Sequence, residues 1–148
     1  MLKKALTVLI PLLLLSLGTS NLVVDAKTPQ HNHDYIVVYN AKHKKVTTIT
    51  SKSSIDYLSD FAGDTGGSEK GIHKKLPKKA KLSYKYVFHN GKKDKIPYKL
   101  NLYVYPNVGK VKMTNIPLVS KGVWKINKKQ LNKLNHPKKF TAKKASTN

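Results

Sequence analysis

The feature that most constrains this chain is an alternation at period two running from Leu82 to Tyr105. Leu82, Tyr84, Tyr86 and Phe88 alternate with Ser83, Lys85 and Val87. Beyond His89-Asn90-Gly91-Lys92, the residues Tyr98, Leu100, Leu102 and Val104 alternate with Lys99, Asn101, Tyr103 and Tyr105. Successive side chains of a strand point to opposite faces, so each segment carries one apolar row. Asn90-Gly91 offers the positive φ angles of a tight turn. The stretch reads as one long β-hairpin, on whose apolar face the rest of the chain packs.

Other segments supply partners for that face. Tyr35–Tyr39 is a buried-type strand, and Lys45–Thr50 returns antiparallel to it with a polar outer side. A short helix follows, with Ser53 as N-cap and Asp56 as its capping-box partner. Ile55, Leu58 and either Phe61 or Ala62 form its buried side, and Gly63 is expected to stop it. Gly63–Lys81 is rich in glycine and lysine and reads as a mobile connection. After the hairpin, Asn107-Val108-Gly109 turns into a strand with Val111 and Met113 inward. Ile116–Val119 reads as irregular, and Lys121-Gly122 as another turn before Val123-Trp124-Lys125-Ile126. The terminal helix is capped by Asn127 with Gln130, stapled by Ile126 with Leu131, and buries Leu131 and Leu134. The expected fold is thus α+β, a small mostly antiparallel sheet in the order ββ-α-βββ-α with two short helices.

The N-terminus reads as a leader. Lys3 and Lys4 precede the apolar run Ala5–Leu17, and Val24-Asp25-Ala26 suits signal-peptide cleavage after Ala26. Ala5–Val24 is just long enough to span a bilayer, but Gly18, Ser20, Asn21 and the cleavage site favour removal. The expected organisation is a signal peptide over 1–26, a polar arm over 27–34, one α+β domain over 35–136 and a basic disordered tail over 137–148. The product is expected to be secreted and extracellular, retained at the cell wall, if at all, by charge.

Order and motifs together resemble a loose group of small extracytoplasmic domains of Gram-positive bacteria, mostly of unknown function. The matching stretches are Lys45-Val-Thr-Thr-Ile-Thr-Ser-Lys-Ser-Ser-Ile55, leading into a helix, and Gly122-Val-Trp-Lys-Ile-Asn-Lys-Lys-Gln-Leu131. The resemblance covers Tyr35–Leu134 and implies the fold, with little about activity. Members often carry acidic residues before the final helix, where this chain has Lys128 and Lys129, unfavourably placed at a positive helix end.

Chemistry-bearing motifs are sparse. Asp64-Thr65-Gly66 spells an aspartic-protease triplet, but that chemistry needs two such aspartates at strand ends sharing one proton, and the upstream segment reads as a helix. Gly63–Gly71 lacks the Gly-Lys-Ser/Thr of a phosphate loop. Asp56 and Asp60 lie one helical turn apart without further acidic ligands, so they read as a solvated face. His31, His33 and Asp34 read as a frayed terminus before any metal site, and His43, His73, His89 and His136 fall in turns or loops beside lysines. No cysteine is present as nucleophile or disulfide partner. The chain is expected to be no enzyme, with no cofactor and no metal.

Charge is the strongest functional signal. The whole chain carries a net +22, and no residue of it is arginine. After the leader, 27 lysines face six acids, with no acid beyond Asp94. Lysine is a hydrated point charge, whereas arginine reads phosphate or guanine bidentately, so the composition favours diffuse attraction to a polyanion. Candidate contacts are Lys74, Lys75, Lys78 and Lys79 before the hairpin, Lys92, Lys93 and Lys95 at its tip, and Lys128, Lys129 and Lys133 on the last helix. Lys85 and Lys99 lie on the polar row of the hairpin, and Tyr103 and Tyr105 there are candidate stacking surfaces. Compartment selects the expected partners: anionic cell-envelope polymers such as teichoic acid, or an anionic lipid surface. Non-specific nucleic acid and an extracellular protein follow behind. The alternative reading is a secreted cationic effector, an antimicrobial protein or a protein inhibitor.

Overall fold

The structure, a computed structural model, describes residues 33–91, 99–116 and 120–142. The leader, the arm up to residue 32, the hairpin tip over 92–98, residues 117–119 and the tail beyond 142 lie outside the described residues.

Two strands open the fold, β1 (Tyr35–Asn40) and β2 (Lys45–Ile49), joined by a turn in which the Asn40 Oδ1 accepts from the backbone N–H groups of Lys42 and Lys44, both at 3.0 Å. Helix α1 (Lys52–Gly66) follows, then β3 (Tyr84–His89), β4 (Asn101–Tyr105), β5 (Lys110–Ile116), β6 (Ser120–Lys125) and helix α2 (Lys128–Leu134). All six strands form one antiparallel sheet in the order β2-β1-β3-β4-β5-β6. The α+β class, the mostly antiparallel sheet and the two helices agree with the sequence reading.

The core lies on one face of that sheet. Ile36, Val38, Ile49, Tyr86, Phe88, Leu100, Leu102, Val104, Val111, Met113 and Trp124 are buried there against Ile55, Leu58, Phe61 and Ala62 of α1 and Leu134 of α2. The Tyr86 hydroxyl donates to the Leu134 carbonyl at 2.6 Å, and burial pushes its pKa upward. The α2 cap forms as read: Asn127 Oδ1 accepts from the Gln130 N–H at 2.8 Å, and the Asn127 N–H donates to Gln130 Oε1 at 3.2 Å.

Several local expectations are corrected. Helix α1 starts after Ser51, whose side chain makes no cap bond, and Asp56 is paired with the Lys52 ammonium at 2.6 Å instead of capping. The helix runs through Gly63 because one more turn brings Gly66 against Met113 and Ile116 on β5. The main hairpin does not turn at Asn90-Gly91. Its register pairs Tyr84 with Val104, Tyr86 with Leu102 and Val87 with Asn101, which a two-residue turn at Asn90-Gly91 does not allow. A two-residue turn at Asn90-Gly91 would have set core-facing Tyr86 opposite Lys95, so burial overrides the local turn signal.

Lys121-Gly122 is not a turn either. Both residues sit in β6, a strand absent from the expected order, where Gly122 pairs with Met113 and, on its other side, bridges to Ile72. The connection after α1 is anchored rather than free: Glu69–Gly71 form a 3-10 turn, and Asn107 receives the Lys81 N–H at 2.8 Å and donates to the Lys79 carbonyl at 2.7 Å. Residues Pro137–Phe140, expected to begin a disordered tail, form a 3-10 turn with Pro137 buried and Phe140 against the core. His89, expected in a loop, ends β3 and stacks on Tyr35 at 4.6 Å.

Candidate anion-binding face

Both helices and the Pro137–Phe140 turn contribute to the cluster on one side of the sheet. The residues that alternate with it form the second face: Tyr35, Val37 and Tyr39 on β1, Lys85, Val87 and His89 on β3, and Asn101, Tyr103 and Tyr105 on β4. Lys110, Lys112 and Thr114 on β5 and Lys121, Val123 and Lys125 on β6 complete it. None of these belongs to the core cluster, and among the described residues no helix packs its buried side there.

Register assembles this face into cross-strand ladders. In one ladder Lys45, Tyr39, Lys85, Tyr103, Lys112 and Val123 follow one another from β2 to β6. A second joins Tyr105, Lys110 and Lys125. A third ends in Asn101, Thr114 and Lys121. Lys99 stands beside His89, where burial and the Lys99 charge together lower the imidazole pKa. Lys85, Lys110 and Lys112 are half-buried.

The fold segregates the carboxylates, while lysines stand on both sides. The acids among the described residues are Asp34, Asp56, Asp60, Asp64 and Glu69. Asp56, Asp60 and Asp64 are exposed along α1, and Glu69 sits in the 3-10 turn behind it, all away from the second face. Asp34 precedes β1 and accepts from the Gly91 N–H at 2.8 Å. Among the described residues, the second face therefore presents Lys45, Lys85, Lys99, Lys110, Lys112, Lys121 and Lys125 without an intervening carboxylate.

Tyr103 is the best-defined point on it. Its ring has the Lys85 ammonium 5.4 Å and the Lys112 ammonium 5.9 Å from its centroid, each from the neighbouring strand. Attraction between an ammonium and a ring quadrupole is worth about 0.5–1 kcal/mol at exposed sites, enough to bias two flexible heads. The ring expected to stack on a ligand is thus already engaged by lysines. Tyr105 is half-buried, and burial, with Tyr103 nearby, raises its hydroxyl pKa.

The lysines singled out from sequence are distributed differently. Lys74, Lys75, Lys78 and Lys79 are exposed along the connection between α1 and β3. Lys128, Lys129 and Lys133 are exposed on α2, where the Lys133 ammonium lies 4.3 Å from the Tyr57 ring centroid, on the helix side. Lys92, Lys93 and Lys95 lie outside the described residues. Lys110, Lys112, Lys121 and Lys125 were not singled out; the period-two pattern of β5 and β6, opposite Val111, Met113 and Trp124, is the signal that places them.

The catalytic triplet pattern also finds its place. Asp64-Thr65-Gly66 is the last turn of α1, not a strand end. Among the described residues no three His, Asp or Glu side chains converge as metal ligands, and no helix is long and apolar enough to cross a membrane. Comparison with known proteins returned no matching family model, curated protein or solved structure. The resemblance to small extracytoplasmic domains of Gram-positive bacteria rests on the two sequence stretches that suggested it.

Proposed function

We propose that the chain is a secreted, non-enzymatic, lysine-rich binding protein that associates with anionic polymers of the cell envelope, teichoic acid or anionic lipid, through the second face of its sheet. The observation that carries the reading is the segregation of carboxylates: seven lysines on one face, from Lys45 to Lys125, with the aspartates of α1 among the lysines of the other side. A lysine surface releases counterions when it meets a polyanion, which drives association without demanding a shaped pocket. The leader-like residues 1–26 support export, and export brings the chain to phosphate polymers before any cytosolic nucleic acid.

Co-sedimentation with purified walls and with isolated teichoic acid tests the reading. Binding should be tight at low ionic strength and fall by about 10³-fold or more between 50 and 200 mM salt, if six or more phosphates are neutralised. Absence of binding to either material at low salt overturns it.

A further inference from the structure

We infer that Lys85, Tyr103 and Lys112 form a defined phosphodiester site within this face, taking a linear polyphosphodiester chain rather than a bilayer surface. The inference rests on the proposed function and narrows it to one place and one ligand form.

Three observations carry it. The register 85↔103↔112 places the three side chains side by side on β3, β4 and β5, so the two lysine stems stand roughly 10 Å apart with the ring between them. Both ammonium groups are drawn to that ring, at 5.4 and 5.9 Å from its centroid. Two cations held on either side of one spacer lose less side-chain freedom on binding than free surface lysines do. Finally, among the described residues the face presents no Trp, Phe or Leu, and its half-buried valine, Val87, lies between Val37 and Asn101. Val37 and Val123 are 7% and 6% exposed, and the groups standing between the lysines are tyrosine, threonine and asparagine. Interfacial membrane binders instead present Trp, Phe or Leu for insertion. A flexible polymer can lay successive phosphates on Lys85 and Lys112 and continue over Lys45 or towards Lys110 and Lys125; a flat bilayer gains nothing from the ladder.

Tyr103 is accordingly a positioning residue, and its test must read more than net charge. Soluble poly(glycerol phosphate) is titrated against the chain and four variants: the pair Lys85→Gln/Lys112→Gln, the pair Lys128→Gln/Lys129→Gln as an equal charge loss on the helix side, Tyr103→Phe and Tyr103→Leu. The Lys85/Lys112 pair and Tyr103→Leu should each weaken binding tenfold or more, the Lys128/Lys129 pair less than threefold, and Tyr103→Phe, which keeps the ring, should bind as the parent does. Circular dichroism checks that Tyr103→Leu keeps the fold, and the lysine pair carries the test if it does not. Equal losses from the two lysine pairs overturn the site while leaving polyanion binding standing. So does parent-level affinity in a folded Tyr103→Leu chain, or tight binding to phosphatidylglycerol vesicles with none to the polymer. A parent chain that binds neither polymer nor vesicles removes both proposals.

Discussion

Trp124 shows how closely single residues are fitted on the core side. Its indole is 4% exposed and donates from Nε1 to the Ser68 carbonyl at 2.8 Å, which pins the 3-10 turn Glu69–Gly71 onto β6. The ring lies across two glycines: a Cβ at Gly71 would overlap Cδ1 and Nε1, and a Cβ at Gly122 would overlap Cη2 and sit 2.8 Å from the Gly71 carbonyl oxygen. Neither obstacle is the free end of a flexible chain. Gly122→Ala should therefore cost about 1–3 kcal/mol, the usual range for forcing extra volume into a packed core. Gly63→Ala is the matched control, because a Cβ there meets nothing within 4 Å and the helix gains by losing a glycine. Urea melts of the two variants, moving in opposite directions, check this; a neutral Gly122→Ala would mean the indole has room to shift.

At the scale of elements, the terminal segment behaves as a clasp. Phe140 lies on Tyr57 of α1 at 6.0 Å and meets Tyr86 of β3 edge-on at 6.4 Å, while its carbonyl accepts from the Ser54 hydroxyl at 2.8 Å. One turn of 3-10 helix thus joins the first helix, the central strand and the end of α2, which the Tyr86 hydroxyl already holds through Leu134. Phe140→Ala should lower stability by about 2 kcal/mol, below the full cost of a buried aromatic because the ring is only half-buried. Thermal melts read this, and an unchanged midpoint would return the segment to the status of a passive tail. Composition hid it: Lys138, Lys139, Lys143 and Lys144 make the end of the chain read as solvated, and one phenylalanine among them gives no periodic signal. The same limit explains the α1 boundaries. Ile55 and Leu58 were legible from helical spacing, which left Phe61 and Ala62 as alternatives where the structure buries both, whereas the extra turn past Gly63 depends on what β5 offers to Gly66.

For the whole molecule, the division into an apolar face and a lysine face was written in the period-two rows of β3, β4 and β5; those rows hold from Tyr84 to Phe88 and from Leu100 to Val104, while Leu82 precedes β3 outside the core cluster and Tyr98 lies outside the described residues. The juxtaposition of Lys85, Tyr103 and Lys112 was not, because cross-strand neighbours follow from register, and register was set by burying Tyr86 opposite Leu102 instead of by the Asn90-Gly91 turn signal. The assembled charge pattern makes orientation a measurable consequence. With lysines on the sheet face and Asp56, Asp60 and Asp64 on α1, a polyanion should meet the molecule sheet-first, since the opposite approach brings phosphates towards carboxylates. The chain has no cysteine, so single reporters can be introduced cleanly. A fluorophore on Lys125→Cys, at the exposed rim of the sheet face, should become shielded from a neutral collisional quencher when teichoic acid is added at low salt. The same fluorophore on Ser59→Cys, exposed on α1, should stay as accessible as before. The shielding at Lys125→Cys should vanish at about 1 M salt, where exposed charges more than about 3 Å apart are largely screened. Equal shielding at the two positions would mean that total charge, and not the face that carries it, governs how this protein binds.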